Sequence, residues 1–232
     1  MKSIDLERQL KSMKSYEAEL SNVLSALHQA GALQDVIVTG SWAMYFYTYL
    51  FNDFDPRVET TDLDLFLPNP KRTKGDNFPS KLTAYSYKRH NDYITGKTLF
   101  LSDKGFSVEF LTLPDRNLTP TIEIKGLNVV AEALPKMAPA GWGYIQVEFN
   151  GLKVNIVSPI SFVLQKLLIN KERTPESKKE KDIDAVRYVL NFIKASPKYS
   201  KELIESFEAY PKKWKKAIVE TAKTYNVELF NN

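Results

Sequence analysis

An α+β fold, an α/β unit followed by a helical unit, is predicted by three features of this 232-residue chain. Apolar runs at Val36-Ile37-Val38 and through Asp62-Leu63-Asp64-Leu65-Phe66-Leu67 flank an apolar stretch over 43–50, a strand–helix–strand pattern. Asn150-Gly151 separates two strand-like runs, 144–149 and 152–157, which is a strong hairpin signal. Beyond Ser158 only helical periodicity remains. The boundary therefore falls near Ser158, giving one unit over 1–157 with an N-terminal helix and a helical unit over 158–232.

The elements follow in order. Residues 4–30 place Leu6, Leu10, Met13, Leu20, Leu24 and Leu27 in one long helical pattern, and Gly31 ends it. A first strand is predicted over 35–39. Gly40 permits a sharp turn, and Ser41 suits the N-cap of a helix over 41–50 that is apolar nearly all round and hence buried. Trp42 could stack on a base, but core packing is the favoured role. The second strand covers 62–67. The polar stretch 68–79, with Lys71, Arg72 and Lys74, reads as a loop. Residues 97–101 and 106–113 form a hairpin around Asp103-Lys104-Gly105. The mixed stretch 122–134 shows no clear period, and 137–143, with Pro139, Gly141 and Gly143, reads as a loop. Pro159 fits a first helical turn after Ser158, and helices are expected over 159–171, 180–195, 201–210 and 211–225.

Composition narrows the chemistry. Hydrophobic residues at 43% and charged residues at 26% are ordinary for a globular protein. With no cysteine there is no disulfide framework, thiolate nucleophile or Cys-based zinc site. Two histidines, His28 and His90, give Ser-His-Asp hydrolysis and His-rich metal sites little material, and both read as structural or solvated. No apolar run spans a membrane and the charged N-terminus lacks a signal-peptide core, so a cytoplasmic chain without membrane partners is expected. A net charge of +4 suits a phosphate-bearing substrate.

The chemistry concentrates at Gly40-Ser41 and Asp62-x-Asp64. A strand has period two, so Asp62 and Asp64 project from one face while Leu63, Leu65 and Leu67 enter the core. Adjacent carboxylates repel unless a cation lies between them, and Mg²⁺ needs only one or two protein carboxylates when phosphates supply the rest. A helix start after Gly40-Ser41 offers free N–H groups and a positive dipole end to an anion. Each feature also has a plain reading, as exposed carboxylates at a strand end and as an ordinary capped helix. Their combination favours nucleotide chemistry.

In this combination the chain resembles the nucleotidyltransferase superfamily typified by DNA polymerase β, whose signature is Gly-Ser, a spacer, Asp-x-Asp and a third carboxylate on a later strand. The resemblance implies a polymerase β-like α/β core with a mixed sheet, followed by a helical unit. Gly40, Ser41, Asp62 and Asp64 match directly, and Glu109, within Gly105-Phe106-Ser107-Val108-Glu109-Phe110-Leu111, matches the third carboxylate. The spacer is longer than usual, and Glu stands where Asp is commoner. Pro159-Ile160-Ser161-Phe162, Lys166-Leu167, Arg173 and Lys181-Asp182-Ile183-Asp184 resemble a bacterial nucleotidyltransferase family. They are more distantly similar to the nucleotidyltransferase toxins of abortive-infection systems. The resemblance covers 36–227.

It implies Asp62, Asp64 and Glu109 as catalytic residues and ligands of Mg²⁺ or Mn²⁺. Gly40, Ser41, Lys166, Arg173 and Asp182 are implied to bind the nucleoside triphosphate, with Asp182 and Asp184 as candidates to orient the cations. Lys166 also fits a helix face open to water. The acceptor stays open between RNA, a small hydroxylated metabolite and a protein side chain, with RNA favoured, and an antitoxin-like protein partner is a further expectation. The mixed clusters Tyr87-Lys88-Arg89 and Lys212-Lys213-Trp214-Lys215-Lys216 suit RNA; the second also reads as a solvated helix face over a buried Trp214. The competing classes are a nucleotide-binding regulatory protein that lost turnover and an interaction protein built on the long N-terminal helix.

Overall fold

The structure, a computed structural model, describes residues 2–56 and 60–230, with side chains from Tyr16 onward. The first helix, α1 (Lys2–Gln29), buries Leu20, Val23, Leu24 and Leu27 and ends at Gly31, whose φ is +72°. The predicted core residues Leu6, Leu10 and Met13 lie outside the described side chains. Strand β1 (Ile37–Thr39) runs directly into α2 (Gly40–Phe46). The cap position is Thr39 and Ser41 lies inside the first turn, which corrects the reading of Ser41 as the N-cap. Gly40, at φ +64°, makes the strand-to-helix turn in a single residue, so the last residue of the strand, Thr39, takes the cap position. The helix is also shorter than expected: it tightens into a 3₁₀ turn over Tyr47–Tyr49. There the buried Tyr47 hydroxyl donates to Val157 O at 2.9 Å, and burial holds its phenol well above the usual value.

Strand β2 (Asp62–Leu67) follows. The loop expected over 68–79 ends in a short helix, α3 (Phe78–Thr83), because Phe78 and Leu82 enter the core. Strand β3 (Lys88–Asn91) was not anticipated: all four residues are exposed at the sheet edge, so no apolar alternation marks it. Strands β4 (Thr98–Leu101) and β5 (Ser107–Thr112) form the expected antiparallel hairpin. The stretch without a clear period holds β6 (Thr121–Ile124) and β7 (Val129–Ala133), joined by a 3₁₀ turn over Lys125–Leu127. The expected loop over 137–143 is instead a 3₁₀ turn (Pro135–Met137) and a short helix α4 (Ala138–Trp142), each with a proline in its first turn, Pro135 and Pro139, that presets the helical φ. Strands β8 (Tyr144–Phe149) and β9 (Leu152–Val157) close as a hairpin on Asn150 and Gly151, whose φ values of 50° and 76° match a type I′ turn.

Among the described residues the nine strands form one mixed sheet, ordered β3-β4-β5-β2-β1-β9-β8, with β7 on β5 and β6 on β7. β1 is antiparallel to β2 and parallel to β9, and β2 is parallel to β5. One edge of β5 is divided: β4 pairs Ser107 to Glu109, and β7 pairs Leu111 and Thr112.

The chain divides into two units, Met1–Val157 and Ser158–Asn232. The second consists of α5 (Pro159–Ile169), α6 (Glu176–Ala195), α7 (Pro197–Glu208) and α8 (Lys212–Thr224). Helices α6 and α7 start earlier than their apolar periodicity suggests. In α6 the first turn is polar and exposed, and α7 opens on Ser196, which caps Tyr199 N. Among the described residues no helix is long and apolar enough to cross a membrane.

Candidate active site

The Asp-x-Asp motif and the Gly-Ser turn meet on the sheet. Thr39 is in register with Asp64, and Asp64 with Glu109, while Asp62 is in register with Ser107. Side chains in register share a face, so Asp62, Asp64, Ser107 and Glu109 project from one side of β2 and β5. The opposite side carries Leu63, Leu65, Val108 and Phe110, all buried. Alternation of apolar and acidic residues along β2 thus anchors the strand and presents the carboxylates together.

Gly40 is fixed by two independent demands. Its φ is left-handed, and a Cβ there would lie 2.3 Å from Asp64 Oδ2. The carboxylate of Asp64 therefore rests against the glycine backbone where the helix begins. Ser41 is half-buried in the first turn of α2. Trp42 is fully buried and packs edge-on to Tyr45 and Phe106 at 5.7 and 5.5 Å, a core role that excludes base stacking.

Asp62 is exposed, and its Oδ1 accepts a 2.6 Å hydrogen bond from the Ser107 hydroxyl. Ser107 is a positioning group absent from the sequence reading; only the β2–β5 register could have revealed it. Glu109 is half-buried, and its Oε2 lies 3.0 Å from Lys97 Nζ, which also reaches Glu132 Oε2 at 3.2 Å. Burial opposes the charge on Lys97, but its hydrogen bond to Glu109 and the charges of Glu109 and Glu132 outweigh it, holding the ammonium above the usual lysine value. Sequence reasoning missed Lys97 and Glu132 as well.

Among the described residues, no three histidine, cysteine or carboxylate side chains are gathered closely enough to hold a metal ion alone. Asp62 and Asp64 are nevertheless an oxygen-only pair on one face, which fits Mg²⁺ or Mn²⁺ when phosphate oxygens complete the shell. The same face continues over Leu99 and Leu101 to the exposed His90 and Lys88 on β3. Tyr87, the aromatic member of that cluster, is instead buried and donates to Glu19 Oε2 at 2.8 Å, so it is not a stacking platform.

In the second unit the predicted nucleotide-binding residues gather around Asp182. Lys166 is buried and pairs with Asp182 Oδ1, and its Nζ lies 5.1 Å from the Phe162 ring centroid. Arg173 Nε donates to Asp182 Oδ2 at 3.0 Å while its side chain stays 40% exposed. Asp182 thus orients both cations, and the reading of Lys166 as a solvated lysine fails. Asp184 is exposed and pairs with Arg187 at 3.3 Å, away from that network. In the Lys212–Lys216 cluster Trp214 is half-buried against Tyr210 at 5.9 Å, and Lys215 pairs with Glu208 at 2.7 Å.

A profile of the family described as Nucleotidyltransferase matches residues 18–210. No curated protein matches the chain. Among solved structures, the chain is similar to an antigenic nucleotidyltransferase-like protein from Paracoccidioides brasiliensis. The identity is 17%, with 88% of this chain and 93% of that one covered and a TM-score of 0.47. It is also similar to the antibiotic-resistance factor ANT(2'')-Ia at 14% identity, with 91% and 98% covered and a TM-score of 0.45.

Proposed function

Because the chain belongs to the nucleotidyltransferase family and is a transferase, we propose that it moves a nucleoside monophosphate from a nucleoside triphosphate to an RNA hydroxyl in a reaction dependent on Mg²⁺ or Mn²⁺. The observation that carries this reading is the contact between the two motifs: the Asp64 carboxylate lies against Gly40 in a turn that only glycine fits. A carboxylate pair and a helix start are thereby set side by side, as a triphosphate with its counter-cation requires.

The divalent cation, held by Asp62 and Asp64 with Glu109 completing the set, would supply positive charge for the departing pyrophosphate and lower the pKa of the acceptor hydroxyl. The chain's own residues do the positioning. The backbone at Gly40 and the hydroxyl of Ser41 hold the phosphate tail. Ser107 fixes Asp62 through its hydroxyl. The acceptor oxygen attacks the α-phosphorus, the bond to the bridging oxygen breaks, and pyrophosphate leaves while the hydroxyl proton passes to solvent. An RNA acceptor is supported by the net charge of +4 and by exposed Lys88 and His90 on the carboxylate face. Arg173, Lys166 and Asp182 enter as determinants of nucleotide affinity, and an antitoxin-like protein as a partner that restrains transfer.

The test is incubation with each α-labelled nucleoside triphosphate and Mg²⁺ against total RNA, total protein and a small-metabolite extract. Label is expected in RNA, falling steeply as salt rises because phosphate contacts release counterions. Asp62→Ala and Asp64→Ala are expected to abolish labelling while the proteins stay folded, since each removes a repelling charge. Unfolding of both variants would make the aspartates structural and overturn the proposal. A second reading, a regulatory nucleotide-binding protein, is favoured by the hold of Lys97 on Glu109. It requires nucleotide binding without label in any pool.

A further inference from the structure

Three observations converge on Lys97, which lies outside the Gly-Ser and Asp-x-Asp motifs. The first is topological. Lys97 immediately precedes β4, at the seam where β4 gives way to β7 along β5. The pairings Leu99 with Glu109 and Leu111 with Glu132 put residues 97, 109 and 132 on the face that carries Asp62 and Asp64. The second is the ion pairing. Lys97 Nζ sits 3.0 Å from Glu109 Oε2 and 3.2 Å from Glu132 Oε2, with all three side chains partly buried. It engages only one oxygen of Glu109, and the other has no hydrogen-bond or ion-pair partner among the described residues. The third is rigidity. The turn before Lys97 is pinned by Asp92 Oδ1, which accepts from Ile94 N at 3.1 Å and from Thr95 N and Oγ1 at 2.7 Å each. Asp92 N donates to Lys97 O at 2.8 Å, so the backbone that delivers the ammonium is already set.

We propose that Lys97 is the positioning residue of Glu109: a built-in counter-ion, shared with Glu132, that keeps the third carboxylate on the sheet until a divalent cation recruits it. The inference rests on the proposed metal-dependent transfer. Glu109 and Glu132 repel unless a cation stands between them, and Lys97 fills that place. Sharing makes the hold releasable. When Glu109 turns toward a cation beside Asp64, Glu132 retains Lys97, and no partly buried charge is left alone.

The experiment titrates Mn²⁺ alone into the full chain by electron paramagnetic resonance, with thermal melts confirming that each variant is folded. Lys97→Met is expected to bind Mn²⁺ about threefold to fivefold more tightly, the worth of one partly exposed ion pair. Glu132→Gln is expected to bind it more weakly, because Lys97 then has Glu109 as its one ion-pair partner among the described residues. Lys97→Arg restores near wild-type binding. Both shifts disappear in a Glu109→Gln background, whereas a general field effect would persist there. If Lys97→Met fails to fold, Lys97→Gln takes its place. The proposal is overturned by unchanged Mn²⁺ binding in the neutral variant, by a shift that survives Glu109→Gln, or by Lys97→Arg behaving like Lys97→Met. Loss of the proposed function reads out separately, as Mn²⁺ binding that ignores Asp62→Ala and Asp64→Ala.

Discussion

A single glycine carries the geometry of the candidate site. Gly40→Ala places a methyl group against Asp64 Oδ2 and a side chain in left-handed backbone. The expected outcome is a loss of about 1–2 kcal/mol from the conformation alone. The transfer rate should fall about a hundredfold as Asp64 is displaced, since a shift near 1 Å costs that much. Melting curves and label transfer measure the two effects; a destabilised variant with undiminished transfer would show that Asp64 has no need of its place beside Gly40. Gly40, Asp62 and Asp64 are legible because they are near in sequence and of distinctive type. Lys97, Ser107 and Glu132 are not. Lys97 and Glu132 are thirty-five residues apart, and neither looks different from a solvated charge until the strand register is known.

Among the elements, legibility follows how much of the stabilisation is local. The β8–β9 hairpin is legible because Asn150 and Gly151 adopt left-handed φ at low cost. Strand β3 is illegible because its charged residues occupy an edge, where they serve to block further pairing. Helix α5 is legible from Ser158, whose Oγ accepts from Ser161 N at 3.1 Å. What joins α5 to α6 is legible only through the resemblance, which makes Asp182 a candidate to orient Lys166; by periodicity alone Lys166 on an apolar helix looks solvated until Asp182 faces it. Asp182→Ala removes the carboxylate that pairs with both the buried Lys166 and Arg173, and is expected to cost about 3–5 kcal/mol. Lys166→Met should cost less, because Asp182 keeps Arg173. Urea denaturation followed through the helix signal compares them; a larger loss in Lys166→Met would mean that packing over Phe162, not charge, dominates there.

For the whole molecule, the sequence pattern carries the division at Ser158 and the mixture of strands and helices, because periodicity and caps are local. It does not carry strand order. β1 takes β2 on one side, antiparallel, and β9 on the other, parallel, and nothing in Ile37-Val38-Thr39 names the second partner.

That parallel pairing sets a clock on biosynthesis. β1 leaves the ribosome early, but its second neighbour is the last strand of the sheet to be made. Until residue 157 is out, the row of backbone groups on one side of Ile37–Thr39 has no strand to meet. Nascent chains halted with residue 151 just exposed are therefore expected to be digested readily by protease, and chains halted well beyond residue 157 to be protected. Equal protection at both lengths would mean that β1 settles against β2 alone, and that the parallel strand arrives after the sheet is already sound.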